Sequence, residues 1–339
     1  MKRAVNLLIF VIALAALLVG ANLVTRRDDG ALKYGPFFAE EREDAFDVLF
    51  VGTRRVLTGI LPPELWREYG VTSYNMGNNS EPLGVTEWVL RLALERHKPK
   101  VAVFDVFYID RPVDLEWTYS FRHLFFDEVP LSSLKLQALR ATLPEKLIPE
   151  FALPFILYHG RWDELVSGTD TRQVDCEPCL MGGELRAART DPAPFERTHD
   201  VSEADLPGLF ALRNIAQICR ESGVEPIFIC LPSPATREEQ MEGNAVYALA
   251  DELGVPYLNM LDIEGVVDFS TDFHDYLSHL NPDGAIKVTR WLGQWLSEHY
   301  DLADHRQDAS YGNWDAILQE YDALLDEQWG HMTLLHQAE

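Results

Sequence analysis

Apolar positions along this chain fall into one long unbroken run, several short runs, and longer stretches where they recur every three or four residues. The short runs are Val48 to Val51, Val71 to Met76, Lys100 to Asp105, Glu225 to Leu231 and Pro256 to Asn259. Compact β-rich runs bounded by polar residues predict strands buried on both faces, as in a parallel sheet. Helical spacing predicts helices over Pro62 to Tyr69, Val85 to Arg96, Leu206 to Glu221, Arg237 to Leu253 and Gly284 to Tyr300. Pro62 and Pro63 suit a first helical turn, and Gly70, Gly223 and Gly254 close three of these helices. Strand and helix alternating at this spacing predict an α/β fold with a three-layer parallel sheet.

The rhythm is lost between about residues 110 and 205, where aromatics, prolines and charges mix without period. This stretch reads as an insertion holding a helix-like piece at Leu134 to Leu139, then Leu147 to Trp162, then a polar loop with Cys176 and Cys179 followed by Gly182-Gly183. Loops of this length in compact domains commonly serve as lids or binding surfaces, and a lid over the site is expected here. The chain therefore divides into a membrane anchor or signal segment at 1–27, a linker at 28–44, an α/β domain at 45–300 and a tail at 301–339. The tail carries an amphipathic piece, Trp314 to Trp329.

The long run, Ala4 to Val24, is interrupted only by Asn6 and Asn22. At about 1.5 Å per residue it reaches the roughly 30 Å of a bilayer core, so residues 4–24 are expected to engage the membrane. A short basic N-terminus before a large domain favours an anchor with the domain outside the cytoplasm. The alternative is a cleaved signal peptide ending near Val19-Gly20-Ala21, which gives the same location.

Composition narrows the partners. A net charge of −25 without a basic cluster excludes a nucleic-acid footprint, and the scattered acids read as a solvated surface. A hydrophobic fraction of 47% with eight tryptophans supplies a substantial core. Cys176 and Cys179 suit a local disulfide in an oxidising compartment, since a single C-x-x-C is weak evidence for zinc. Cys219 and Cys230 fall in elements expected to be buried.

Three segments carry candidate chemistry: Gly52-Thr53-Arg54-Arg55 after the first strand, Tyr74-Asn75-Met76-Gly77-Asn78-Asn79 after the second, and Asp275 to Asn281 before the last core helix. In this order they resemble the SGNH, or GDSL-type, hydrolases. The bacterial membrane-anchored branch of that family is similar also in Tyr158 to Trp162 and Asp268 to Phe273. The resemblance implies a flavodoxin-like sheet, His279 as base, and esters of cell-surface glycans as substrates. It also implies a polysaccharide or a membrane acyltransferase as partner, and neither cofactor nor metal. Gly52, Gly77, Asn78 and Asn79 would be oxyanion or substrate-binding groups. The family's acid falls three residues before the histidine, where Tyr276 stands, so Asp275 would serve through a shift of one residue.

Arg54 stands where the family's nucleophilic serine falls. A guanidinium stays protonated and cannot attack a carbonyl, so catalysis is expected to be impaired. Two readings follow. In one, a hydrolase or acyltransferase uses a displaced hydroxyl, Thr53 or Thr58, with Asp275 and His279. In the other, Arg54 and Arg55 make the site a non-catalytic anion or glycan binder, because arginine suits carboxylate and phosphate groups. Arg54 pairing with Asp275 is the plainer alternative, and Asp105, at a strand end, is either a loop cap or a pocket wall. Gly52, Gly77 and His279 are expected to meet at the carboxyl edge of the sheet.

Overall fold

The short apolar runs become five strands: β1 (Val48–Gly52), β2 (Ser73–Gly77), β3 (Val101–Asp105), β4 (Glu225–Cys230) and β5 (Tyr257–Asn259). They were located in a computed structural model that describes residues 2–25, 33–161, 166–167, 180–186, 188–190, 196–275 and 279–338. All neighbouring strands pair in parallel, in the order β2-β1-β3-β4-β5. The chain begins in the interior of the sheet, winds outward to β2, and crosses back to β3, so the winding direction reverses between β1 and β3. That is the flavodoxin-like order, and ligands of such sheets bind beyond the strand carboxyl ends at this reversal.

The helices are α1 (Lys2–Thr25), α2 (Gly35–Ala39), α3 (Arg54–Gly59), α4 (Pro62–Tyr69), α5 (Leu83–Arg96), α6 (Tyr119–Phe126), α7 (Ser133–Thr142), α8 (Ile148–Ala152) and α9 (Phe155–Tyr158). They continue with α10 (Pro207–Ser222), α11 (Arg237–Leu253), α12 (Pro282–His299) and α13 (Asn313–Ala338). Side chains alternate across the sheet as period two requires. Leu49 and Val51 of β1 join the core beneath α5 and α10, while Val48 and Phe50 join the core beneath α4 and α12. Both faces are therefore covered, which explains why these strands read as continuous apolar runs.

Two features depart from the sequence reading or extend it. Gly35-Pro36, read as a breaker inside a linker, instead opens α2, with proline in the first turn and Phe37 and Phe38 buried. Proline is well tolerated at that position, and the two phenylalanines supply the burial. The tail helix α13 packs on the domain through buried Trp314, Tyr321 and Leu325, with Trp314 stacked on Trp66 at 5.2 Å. Helix α1 is exposed over most of residues 2–21 and is long and apolar enough to cross a membrane. Cys219 and Cys230 are buried free thiols, both pushed up to about 12 by burial. Cys176 and Cys179 lie outside the described residues.

Candidate functional site

The site begins where β1 and β2 end side by side, with Gly52 paired to Gly77. Close approach explains both glycines. A Cβ on Gly52 would lie 2.8 Å from the Cβ of Asp105, and one on Gly77 would lie 2.5 Å from the backbone nitrogen of Leu57. Asn75 pins this corner: its side-chain amide donates to the carbonyls of Val56 (2.7 Å) and Ile60 (2.8 Å), and its Oδ1 accepts from the Gly77 nitrogen (2.9 Å). The glycine pair Gly182-Gly183 packs on the same corner, where Asn75 donates its backbone N–H to the Met181 carbonyl at 2.8 Å.

Thr53 caps α3. Its hydroxyl accepts from the Arg55 N–H (3.2 Å) and donates to Asp105 Oδ2 (3.0 Å), and the residue is 2% exposed. Thr58 is likewise buried, donating to the Arg54 carbonyl at 3.1 Å. Thr53, the displaced-nucleophile candidate, thus stands as the cap of α3, with its proton and one lone pair engaged. Asp105 serves as the buried acceptor of that bond. Burial pushes its carboxyl up from the ordinary carboxylate range, against the pull of the Arg55 charge.

The backbone amides expected as oxyanion donors make hydrogen bonds within this corner. The Gly77 N–H goes to Asn75, the Asn78 N–H to the Gly52 carbonyl (2.9 Å), and the Asn79 N–H to Asn78 Oδ1 (2.8 Å). These amides hold the turn together. The Asn78 side chain reaches inward to Glu81 at 3.2 Å. Burial raises Glu81 to about 7, opposed by that hydrogen bond and by the charge of Arg122.

His279 and Asp275 come together on the loop before α12. His279 Nδ1 lies 2.5 Å from Asp275 Oδ2, and the His279 backbone N–H donates to Oδ1 at 3.2 Å. The loop is fixed on both sides. Phe273 forms bridges with Thr190 and Leu280, and Asn281 caps α12 by accepting from Gly284 at 3.1 Å. Leu280 faces α3, where a Cβ on Gly59 would lie 3.4 Å from it.

Sequence reasoning missed His274. Its ring stacks on His279 at a centroid distance of 5.4 Å, and its Nε2 lies 3.5 Å from Asp275 Oδ2. Among the described residues that Nε2 is buried without a hydrogen-bond partner. Burial pushes the His274 imidazole down to about 4. Asp275 opposes this, while the positive charges of Arg54 and Arg186 reinforce it. The available signal was the His-Asp pair itself, set five residues before His279. Together His274, Asp275 and His279 present three ligand-type atoms within 4.8 Å of one another.

The two arginines separate. Arg54 lies near enough for its charge to bear on His274, and its buried Nε has no hydrogen-bond partner among the described residues. Arg55 is 3% exposed, stacked with its guanidinium carbon 3.2 Å from the Phe107 ring centroid, and it balances Asp105. A cavity of about 450 Å³ is lined by Phe46, Tyr74, Met181, Trp314 and Ile317 among others, and includes neither the arginines nor the His274 cluster.

No family model matches the chain, and no curated protein matches it. Among solved structures the fold is similar to that of a candidate acylhydrolase from Bacteroides fragilis NCTC 9343. The two share 9% identity, with 78% of this chain and 95% of the other covered and a TM-score of 0.39. A likeness at that level carries neither activity nor site residues from one chain to the other.

Proposed function

We propose that the chain is a membrane-anchored, extracytoplasmic SGNH-like protein of cell-surface glycan ester metabolism that binds an anionic group and no longer cleaves esters. The observation carrying this reading is Arg54, whose buried Nε lacks a partner among the described residues and whose charge reaches His274. An unpaired buried guanidinium N–H costs about 1–3 kcal/mol, and a carboxylate, sulfate or phosphate on a glycan would recover it through a charge-assisted bond. Commitment of the Thr53 hydroxyl to Asp105 supports the loss of nucleophilic catalysis.

A second reading, an active esterase or acyltransferase, is favoured by the 2.5 Å contact between His279 and Asp275, the orientation a general base needs. One experiment separates the two. The full chain in detergent is titrated with a uronic-acid oligosaccharide and with its neutral counterpart, then treated with a fluorophosphonate and an acyl ester. The binding reading expects preference for the acidic oligosaccharide, weakened about tenfold or more by Arg54→Ala, with neither labelling nor turnover. Turnover abolished by His279→Ala would establish the enzyme instead.

A further inference from the structure

We infer that His274, Asp275 and His279 form a binding site for a divalent transition metal, with Zn2+ the ion that best suits two imidazoles and one carboxylate. Zinc–nitrogen and zinc–oxygen bonds of about 2.0–2.2 Å set donor atoms roughly 3.3 Å apart around a tetrahedral ion. His274 Nε2 and Asp275 Oδ2 already stand 3.5 Å apart. His279 Nδ1 is 2.5 Å from the same oxygen, a hydrogen-bond distance, so it must open by about 1 Å when the ion replaces the shared proton. All three donors lie within 4.8 Å of one another, on a loop held by bridges at Phe273 and by the Asn281 cap.

The buried Nε2 of His274, which has no hydrogen-bond partner among the described residues, is an independent observation. An imidazole nitrogen removed from water without a partner costs about 1–3 kcal/mol, and metal ligation would use its lone pair. Three protein ligands leave a fourth position open, as in zinc sites that take an exogenous group. Arg54 and Arg186 weigh against a bare dication, since their charges reach His274. An anion in the open position would offset both the ion and the guanidinium. Coupling between metal and anion rests on the proposed role of Arg54; the metal site itself does not.

The test uses the full chain in detergent, stripped with a chelator, dialysed against Zn2+ and assayed for bound metal, with affinity read by a chromophoric competitor. About one zinc per chain is expected, retained in a Cys176→Ser/Cys179→Ser variant. Affinity should fall at least tenfold in His274→Ala and in Asp275→Asn, with each variant's fold checked by circular dichroism. Should His274→Ala misfold, Co2+ loaded into the Cys176→Ser/Cys179→Ser variant supplies the second readout, and its visible bands should be quenched when diethylpyrocarbonate modifies the histidines. Arg54→Ala should leave stoichiometry unchanged and tighten zinc in anion-free buffer. Absence of stoichiometric zinc, or zinc indifferent to His274 and Asp275, overturns the site. Intact zinc binding with no effect of Arg54→Ala on the acidic oligosaccharide removes the anion reading and leaves the metal.

Discussion

Glu81 is a buried acid whose environment makes a quantitative demand on the fold. Its carboxylate accepts from Asn78 at 3.2 Å and Thr86 at 3.3 Å, yet burial raises it to about 7. A raised folded pKa means the native state holds the proton more tightly than the unfolded chain. That stabilisation is complete below the unfolded value near 4.5 and is lost as pH rises through about 7, amounting to on the order of 3 kcal/mol. Urea unfolding should therefore show stability falling between pH 5 and 8, and Glu81→Gln should flatten much of the decline. A wild-type profile identical to that of Glu81→Gln would show the carboxyl to be ionised throughout. Legibility at this scale was uneven. The motif order drew attention to Asp275, His279 and Arg54, but the commitment of Thr53 depends on Asp105 across a neighbouring strand, and no local pattern reports such a bond. His274 went unnoticed because a lone histidine beside an aspartate has no distinguishing period.

The unit formed by β1, α3 and the end of β2 is held by one side chain more than by any other. Asn75 satisfies the Val56 and Ile60 carbonyls and the Gly77 N–H at once. Asn75→Ala would leave these buried groups unpaired at about 1–3 kcal/mol each, so a loss of at least about 3 kcal/mol in urea unfolding is expected. Gly77→Ala should also destabilise, because its Cβ would meet the Leu57 nitrogen at 2.5 Å and backbone there cannot yield cheaply. Thr53→Val should cost only about 1–2 kcal/mol, the loss of a cap and one hydrogen bond. Retention of full stability by Asn75→Ala would mean that water replaces all three bonds. The strands were legible as elements because burial on both faces leaves continuous apolar runs. Helix α2 was not, since Gly35-Pro36 has the same appearance whether it breaks a chain or starts a helix. Its fate was decided by Phe37 and Phe38 finding a core with Phe46 and Tyr74.

Across the whole molecule, the two terminal helices contrast sharply in what they bury. Over residues 2–21 helix α1 is exposed except at the partly covered Leu18 and Ala21, and it touches α9, whereas α13 contributes Trp314, Tyr321 and Leu325 to the core. The sheet order is shared by proteins of many activities, so function rests on the site rather than the fold. The terminal helices, by comparison, make directly opposite predictions. Removing residues 2–25 should leave thermal stability within about 3 °C of the full chain while releasing the protein from membranes that otherwise retain it through alkaline carbonate washing. Removing residues 313–338 exposes the face of Trp66 and forfeits three large buried side chains, worth about 1.5–3 kcal/mol each. That total, on the order of 5 kcal/mol or more, is comparable to the whole stability of a typical domain, so this truncation should fail to fold cooperatively. A reporter fused after Glu339 tests the remaining point, the side of the membrane. Activity confined to an extracytoplasmic reporter supports the proposed location, and activity confined to a cytoplasmic one places the Arg54 site inside the cell and removes surface glycans as its ligand.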